Sequence, residues 1–209
     1  KDRSRNLALL SAGTLAGTLA GTEAASAEGR NGSEAPKKPN ILFFLVDDLG
    51  WSDIGCFGSR FHETPNIDRL AEEGVRFTNA YAACHVSSPT RASLMTGRYP
   101  ASIRLTDWLP GRKNWPFQRL LNAPVEQHLP FEEITVAETL RDNGYATAII
   151  GKWHLGKGDS NPLAHGFDEH IPLGYNEGWP QGYYAPFRLN GYEGEEGEYL
   201  TDVMTREAT

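Results

Sequence analysis

Ile41-Leu42-Phe43-Phe44-Leu45-Val46 is an unbroken apolar run, the pattern of a strand covered on both faces in a parallel sheet. It stops at Asp47-Asp48-Leu49-Gly50. Thr64-Pro65 then predicts a helix start, with Thr at the N-cap and Pro in the first helical position. Ile67, Leu70 and Ala71 supply its apolar stripe, and Gly74 suits its end. Residues 75–81 alternate like a strand. Ser88-Pro89 predicts a second helix start by the same logic, with Leu94 and Met95 on the helix and Gly97 ending it. Thr135-Val136-Ala137-Glu138 reads as a capping box for a third helix that closes at Gly144. Residues 145–150 follow as a further strand, ending in Gly151-Lys152-Trp153-His154. Strands alternating with helices over short connections predict βαβ units and a mostly parallel α/β sheet flanked by helices. Residues 101–133 and 155–192 are rich in Pro, Gly, Trp and Tyr without periodicity, which reads as a binding rim rather than a core.

The termini read differently from the middle. Lys1, Arg3 and Arg5, the small-and-apolar stretch Leu7 to Ala20, and Ala25-Ser26-Ala27 have the order of a secretory signal. Residues 1–27 are therefore expected to be a signal peptide, 28–38 a polar linker, and 39–209 part of a catalytic domain. The expected location is exported, periplasmic or extracellular. The leader is too short and interrupted for a membrane span of about 20 residues. Residues 191–209 carry few apolar side chains, and six acids against one base, and nothing there predicts the end of a domain. The sheet is accordingly expected to be truncated at the C-terminus.

Charge narrows the function classes. The 209 residues hold 20 Lys and Arg against 27 Asp and Glu, a net of −7. No nucleic-acid partner is expected, because phosphate contacts need clustered cations. Cys56 and Cys84 make neither a disulfide scaffold nor a Cys-based zinc site, and whether they pair is left open.

Three clusters fall where open parallel sheets bind ligands, beyond the carboxyl ends of strands. Asp47 and Asp48 bring two carboxylates together; a hard cation relieves their repulsion, whereas a solvated turn explains them equally well. Ser87 precedes the expected helix start and so faces the positive end of a helix dipole, with Arg91 able to turn its guanidinium to the same place. Lys152 and His154 stand two apart, on one side of an extended segment, offering a fixed cation and a titratable imidazole. Together these are equipment for hydrolysing a sulfate or phosphate ester.

In order, these clusters resemble the formylglycine-dependent, arylsulfatase-type sulfatases of the alkaline-phosphatase-like superfamily. The resemblance rests on PNILFFLVDDLGWSDIGCFG, SSPTRASLMTGRYP, GKWHLG and His165-Gly166-Phe167-Asp168. It implies Asp47, Asp48 and Ser87 as ligands of Ca²⁺, with Mg²⁺ second, and Ser87 as the residue converted to formylglycine. It implies that Arg91 and Lys152 hold the modified side chain and the sulfate, and that His154 hydrogen-bonds the aldehyde hydrate. One hydrate hydroxyl would attack sulfur as the old ester bond breaks and its alcohol leaves; loss of the other's proton would then restore the aldehyde and expel sulfate, an exit that a plain serine lacks.

Serine at position 87, where many members have cysteine, implies a bacterial, serine-type enzyme matured by a radical S-adenosylmethionine enzyme. The expected substrate is a sulfated carbohydrate or aryl sulfate. The remaining site residues of the family find no match here, so an N-terminal fragment, inactive alone, is expected. A phosphatase or phosphonate monoester hydrolase of the same superfamily stays open. So does a non-catalytic binder of sulfated glycans, given Trp108, Trp115, Tyr175, Trp179, Tyr183 and Tyr184 in the loops.

Overall fold

The computed structural model describes residues 38–171, 182–187 and 194–209. The expected signal peptide, nearly all of the linker, and Tyr175 and Trp179 lie outside them. The chain divides into two units, Lys1–Tyr81 and Ala82–Thr209.

In the first unit, helix α1 spans Pro65–Glu73 behind Thr64, as the Thr-Pro pair predicts. The Thr64 hydroxyl caps no helix N–H. Instead it accepts from Gly55 N at 2.8 Å and donates to Asp68 Oδ1 at 3.1 Å, while Cys56 N donates to the same carboxylate oxygen at 2.6 Å. These bonds fasten a short 3₁₀ turn, Gly55–Phe57, to the start of α1. The two strands expected here do not form. Residues 41–46 and 75–81 lie outside regular structure, with Phe44 64%, Val46 57% and Val75 78% exposed. A strand needs a hydrogen-bonded neighbour, and the described residues of this unit offer none.

The second unit carries the observed α/β arrangement. Helix α2 covers Ser87–Thr96 and α3 covers Val136–Asp142; β1 is Ala148–Ile150, β2 is Glu169–Ile171, and α4 is Leu200–Glu207. β1 and β2 pair in parallel, with Ile149 opposite His170. Helix α2 starts earlier than Ser88-Pro89 suggests: Val86 is the N-cap and Ser87 the first helical residue. Gly97 ends α2 in the left-handed region, φ 69°, donating to Ser93 O. The capping box of α3 is present in full, with Glu138 N donating to Thr135 Oγ1 at 3.1 Å and Thr135 N to Glu138 Oε2 at 2.7 Å. The strand expected over 145–150 is confined to its last three residues, because Thr147 is engaged by Asp168. Thr147 N donates to Asp168 Oδ2 at 2.9 Å, and Asp168 N donates back to Thr147 O at 2.9 Å.

The core departs from the expected division between rim and interior. Ile103, Leu105 and Leu129 come from the irregular stretch 101–133, yet they bury with Ala92, Trp153 and Leu155. A second cluster joins Ala185, Phe187 and Val203 to Ile150, Ile171, Leu200 and Met204, so α4 seats on the strands through one face. Leu200, Val203 and Met204 have the i, i+3, i+4 spacing that marks such a face. Both cysteines are free thiols, half-buried. Among the described residues no helix is long and apolar enough to cross a membrane.

His165 completes the core. Its ring stacks on Phe131 with centroids 5.0 Å apart, leans on Trp153 at 5.5 Å, and its Nε2 meets Ser160 Oγ at 2.9 Å. Thr135 Oγ1 donates to its carbonyl at 2.7 Å. The following Gly166, φ 94°, is required, since a Cβ there would lie 2.4 Å from Glu138 N. Burial lowers the His165 pKa from 6.5; the Glu138 carboxylate opposes this and His128 adds to it. A histidine held neutral when folded contributes stability above the unfolded pKa and loses it as pH falls below that value. The melting temperature should therefore fall between about pH 7 and pH 5, and His165→Phe should remove part of that fall. An unchanged acid profile in His165→Phe would show that the ring gains its proton as readily in the core as in the unfolded chain, and that burial does not hold it neutral.

Candidate active site

Ser87 opens α2, and its Oγ accepts a hydrogen bond from Lys152 Nζ at 2.5 Å. A charge-assisted bond this short holds two side chains 65 positions apart in sequence in one geometry. Arg91, one turn further along α2 and 8% exposed, donates through a guanidinium nitrogen to Lys152 O at 2.6 Å. Arg91 thus braces the backbone that carries the lysine and brings a second cation to the start of the helix. The expected dipole placement of Ser87 holds with a shift of register, since it stands inside the first turn rather than ahead of it.

Lys152 and His154 reach this place by a route that spacing alone does not give. The segment is not evenly extended: His154 has φ 60°, in the left-handed region. The residue between them, Trp153, turns fully inward, and its Nε1 donates to Ser160 O at 3.0 Å. Leu129 N donates to Leu155 O at 2.7 Å on the far side. A positive φ in a non-glycine residue is sparsely populated and persists where packing over-determines it. Here the Trp153 anchor and the Leu155 bond supply that determination.

His154 Nε2 lies 2.9 Å from Leu109 O, and Leu109 N donates to Ser88 Oγ at 3.1 Å. A carbonyl only accepts, so Nε2 carries the proton. The buried Nδ1 is then the atom at which the ring can take up or release a proton, and the described side chains do not use it for a hydrogen bond. Ser88 and the Leu109 carbonyl were not legible as site members. Ser88 reads as a helix cap, and a backbone oxygen has no residue-type signature.

Asp47 and Asp48 belong to the first unit, where Asp48 adopts φ 56° at the turn after the apolar run. Their oxygens are the donor type that a hard cation takes. Among the described residues, no group of three or more His, Cys, Asp or Glu side chains gathers to hold a metal. The fit to Ca²⁺ is therefore one of donor chemistry. Of the loop aromatics, Trp115, Tyr183 and Tyr184 are more than half exposed.

The profile described as "Sulfatase" matches residues 39–209. The chain is 40% identical over 206 residues to N-acetylgalactosamine-6-sulfatase of Canis lupus familiaris, covering 88% of this chain and 38% of that protein. Among solved structures, Ps i-CgsB in complex with k-i-k-neocarrahexaose matches with TM-score 0.60 and 36% identity, over 78% of this chain and 38% of that one. BT4656 in complex with its substrate D-glucosamine-2-N,6-O-disulfate matches with TM-score 0.62 and 33% identity, over 82% and 30%. The chain thus spans less than half the length of these relatives.

Proposed function

The chain belongs to the sulfatase family, and on that premise we propose that its protein is an exported sulfuric ester hydrolase acting on sulfated carbohydrate or aryl sulfate esters. The observation that carries the reading is the Lys152 ammonium on Ser87 Oγ at the start of α2, with Arg91 behind it. The names of the relatives support the reaction class, and the complexes of Ps i-CgsB and BT4656 support a sulfated carbohydrate. The signal-like order of residues 1–27 supports export.

Formylglycine made from Ser87 would supply a nucleophilic hydroxyl and a way to release sulfate. Ca²⁺, whose donor type the Asp47 and Asp48 carboxylates supply, would bring positive charge to the sulfate oxygens. The chain's own residues do the rest. Lys152 orients the oxygen at position 87 and favours negative charge developing on it. Arg91 fixes the lysine's backbone and adds a guanidinium, whose planar fork matches a tetrahedral oxyanion better than a point charge. His154, with Nε2 committed to Leu109 O, moves protons at Nδ1. The buried Ser88 and Leu155 beneath the site keep water from its floor.

Expression of the full-length protein with an anaerobic radical S-adenosylmethionine maturase tests this. Peptide mass spectrometry should show loss of two hydrogens at Ser87, and hydrolysis of an aryl sulfate should rise with the converted fraction. Full activity with an unconverted Ser87 would overturn the assignment.

A further inference from the structure

The segment 108–122 is attached to the site at one end and exposed at the other. Leu109 is its inner anchor, bonded to Ser88 Oγ and His154 Nε2. Lys113 follows four residues later, which at full extension is within about 14 Å of that anchor. The segment holds Arg112, Lys113 and Arg119 and no acid, in a chain whose acids outnumber its bases 27 to 20. Arg112 pairs with Asp107 at 3.3 Å, whereas Lys113 and Arg119 are exposed and make no ion pair among the described residues.

The same segment presents an aromatic platform. Trp115 and Phe117 stack with centroids 6.1 Å apart and planes 14° from parallel, although they are 56% and 80% exposed. The loop beneath them is built rather than loose. Asn122 N donates to Asn114 Oδ1 at 2.8 Å, and Asn122 Nδ2 to the carbonyls of Arg112 and Lys113 at 3.2 and 3.1 Å. Trp115 N also donates to Gln118 Oε1. Two aromatic rings stacked together in water, beside two exposed cations, form the kind of contiguous surface patch that marks a ligand contact.

We propose that this lip, residues 108–122, is a subsite for an anionic polysaccharide, binding the sugars next to the one whose ester is cleaved. The inference rests on the sulfatase reading of the neighbouring site. Lys113 and Arg119 meet sulfate groups along the polymer, and the Trp115–Phe117 platform takes the apolar face of a pyranose ring. A purely apolar partner would leave the cations unused, and a small aryl sulfate would not reach them. Charge complementarity therefore selects the polymer.

The test uses the full-length, matured protein, the variants Lys113→Ala/Arg119→Ala and Trp115→Ala, and two substrates. One is an aryl sulfate, the other a sulfated hexasaccharide. Each variant should raise KM for the hexasaccharide roughly tenfold, the equivalent of about 1.4 kcal/mol, with kcat and all aryl sulfate constants unchanged. Equal effects on both substrates, or none on either, would overturn the subsite. So would loss of binding to anionic lipid vesicles with the hexasaccharide KM unmoved, which would make the lip a membrane contact. Absence of turnover in the wild type would strike the catalytic reading instead. Calorimetric titration with the hexasaccharide then decides the lip, which stands if the variants lose wild-type binding and falls if they keep it.

Discussion

Lys152→Ala in the full-length, matured protein should lower kcat for an aryl sulfate by about 10²–10³-fold, the usual cost of removing one preorganised group that stabilises charge in the transition state. The Nζ–Oγ distance of 2.5 Å places the ammonium on the oxygen expected to react. Its carbonyl is held by Arg91, so the side chain can be removed without releasing the backbone. The fold should survive, since Trp153 and Leu155, not Lys152, fill the core beneath. KM should change less than kcat, because a charge that matters most when negative charge develops acts on the transition state. Steady-state kinetics check this. A kcat within threefold of wild type would reduce Lys152 to a surface cation that merely caps a hydroxyl.

Trp153→Ala should destabilise the protein by about 3–5 kcal/mol, the range for emptying a large aromatic site in a core. Trp153 is 1% exposed and touches both His165 and Phe167. Its removal also takes the indole donor from Ser160 O. Activity should fall further than stability alone accounts for, because the φ 60° conformation of His154 next to it loses its anchor. Urea unfolding and kinetics at a temperature where the variant stays folded separate the two effects. A shift below about 1 kcal/mol would mean that the surroundings collapse into the space and that Trp153 holds nothing in place.

These expectations draw on features that were unequally legible in the sequence. The capping box at Thr135 and the Thr-Pro start of α1 are local signals, and local signals survive into structure. The contact of Ser87 with Lys152, and of Arg91 with the Lys152 carbonyl, joins a helix start to a strand end, the two places the sequence marks for candidate chemistry. The apolar run 41–46 misled as to local structure, since periodicity reports what a segment could pair with and not whether a partner is present. Helix α4 was hidden by the surrounding acids, which mask the spacing of Leu200, Val203 and Met204. Strand β2, Glu169–Ile171, is too short to show alternation. Ile103, Leu105 and Leu129 follow no period, so their burial depends on tertiary contacts alone. His165 was noticed only as part of the family-like segment 165–168, and its place in the core depends on two aromatic rings and one hydroxyl that come together through tertiary contacts.

Leu105 and Leu129 are fully buried, and the chain between them leaves the core and returns. Glu126 N donates to Arg104 O at 3.0 Å, so the two ends of that excursion are already joined. Lengthening such a closed excursion costs little, about 0.6 kcal/mol for each doubling of loop length. The excursion therefore behaves as an exchangeable cassette. Its interior can change in length and composition while its endpoints, and the Leu109 anchor beside His154, keep their places. Changes within the stretch are therefore separable from changes at Ser87 and Lys152, whose contact is made outside it.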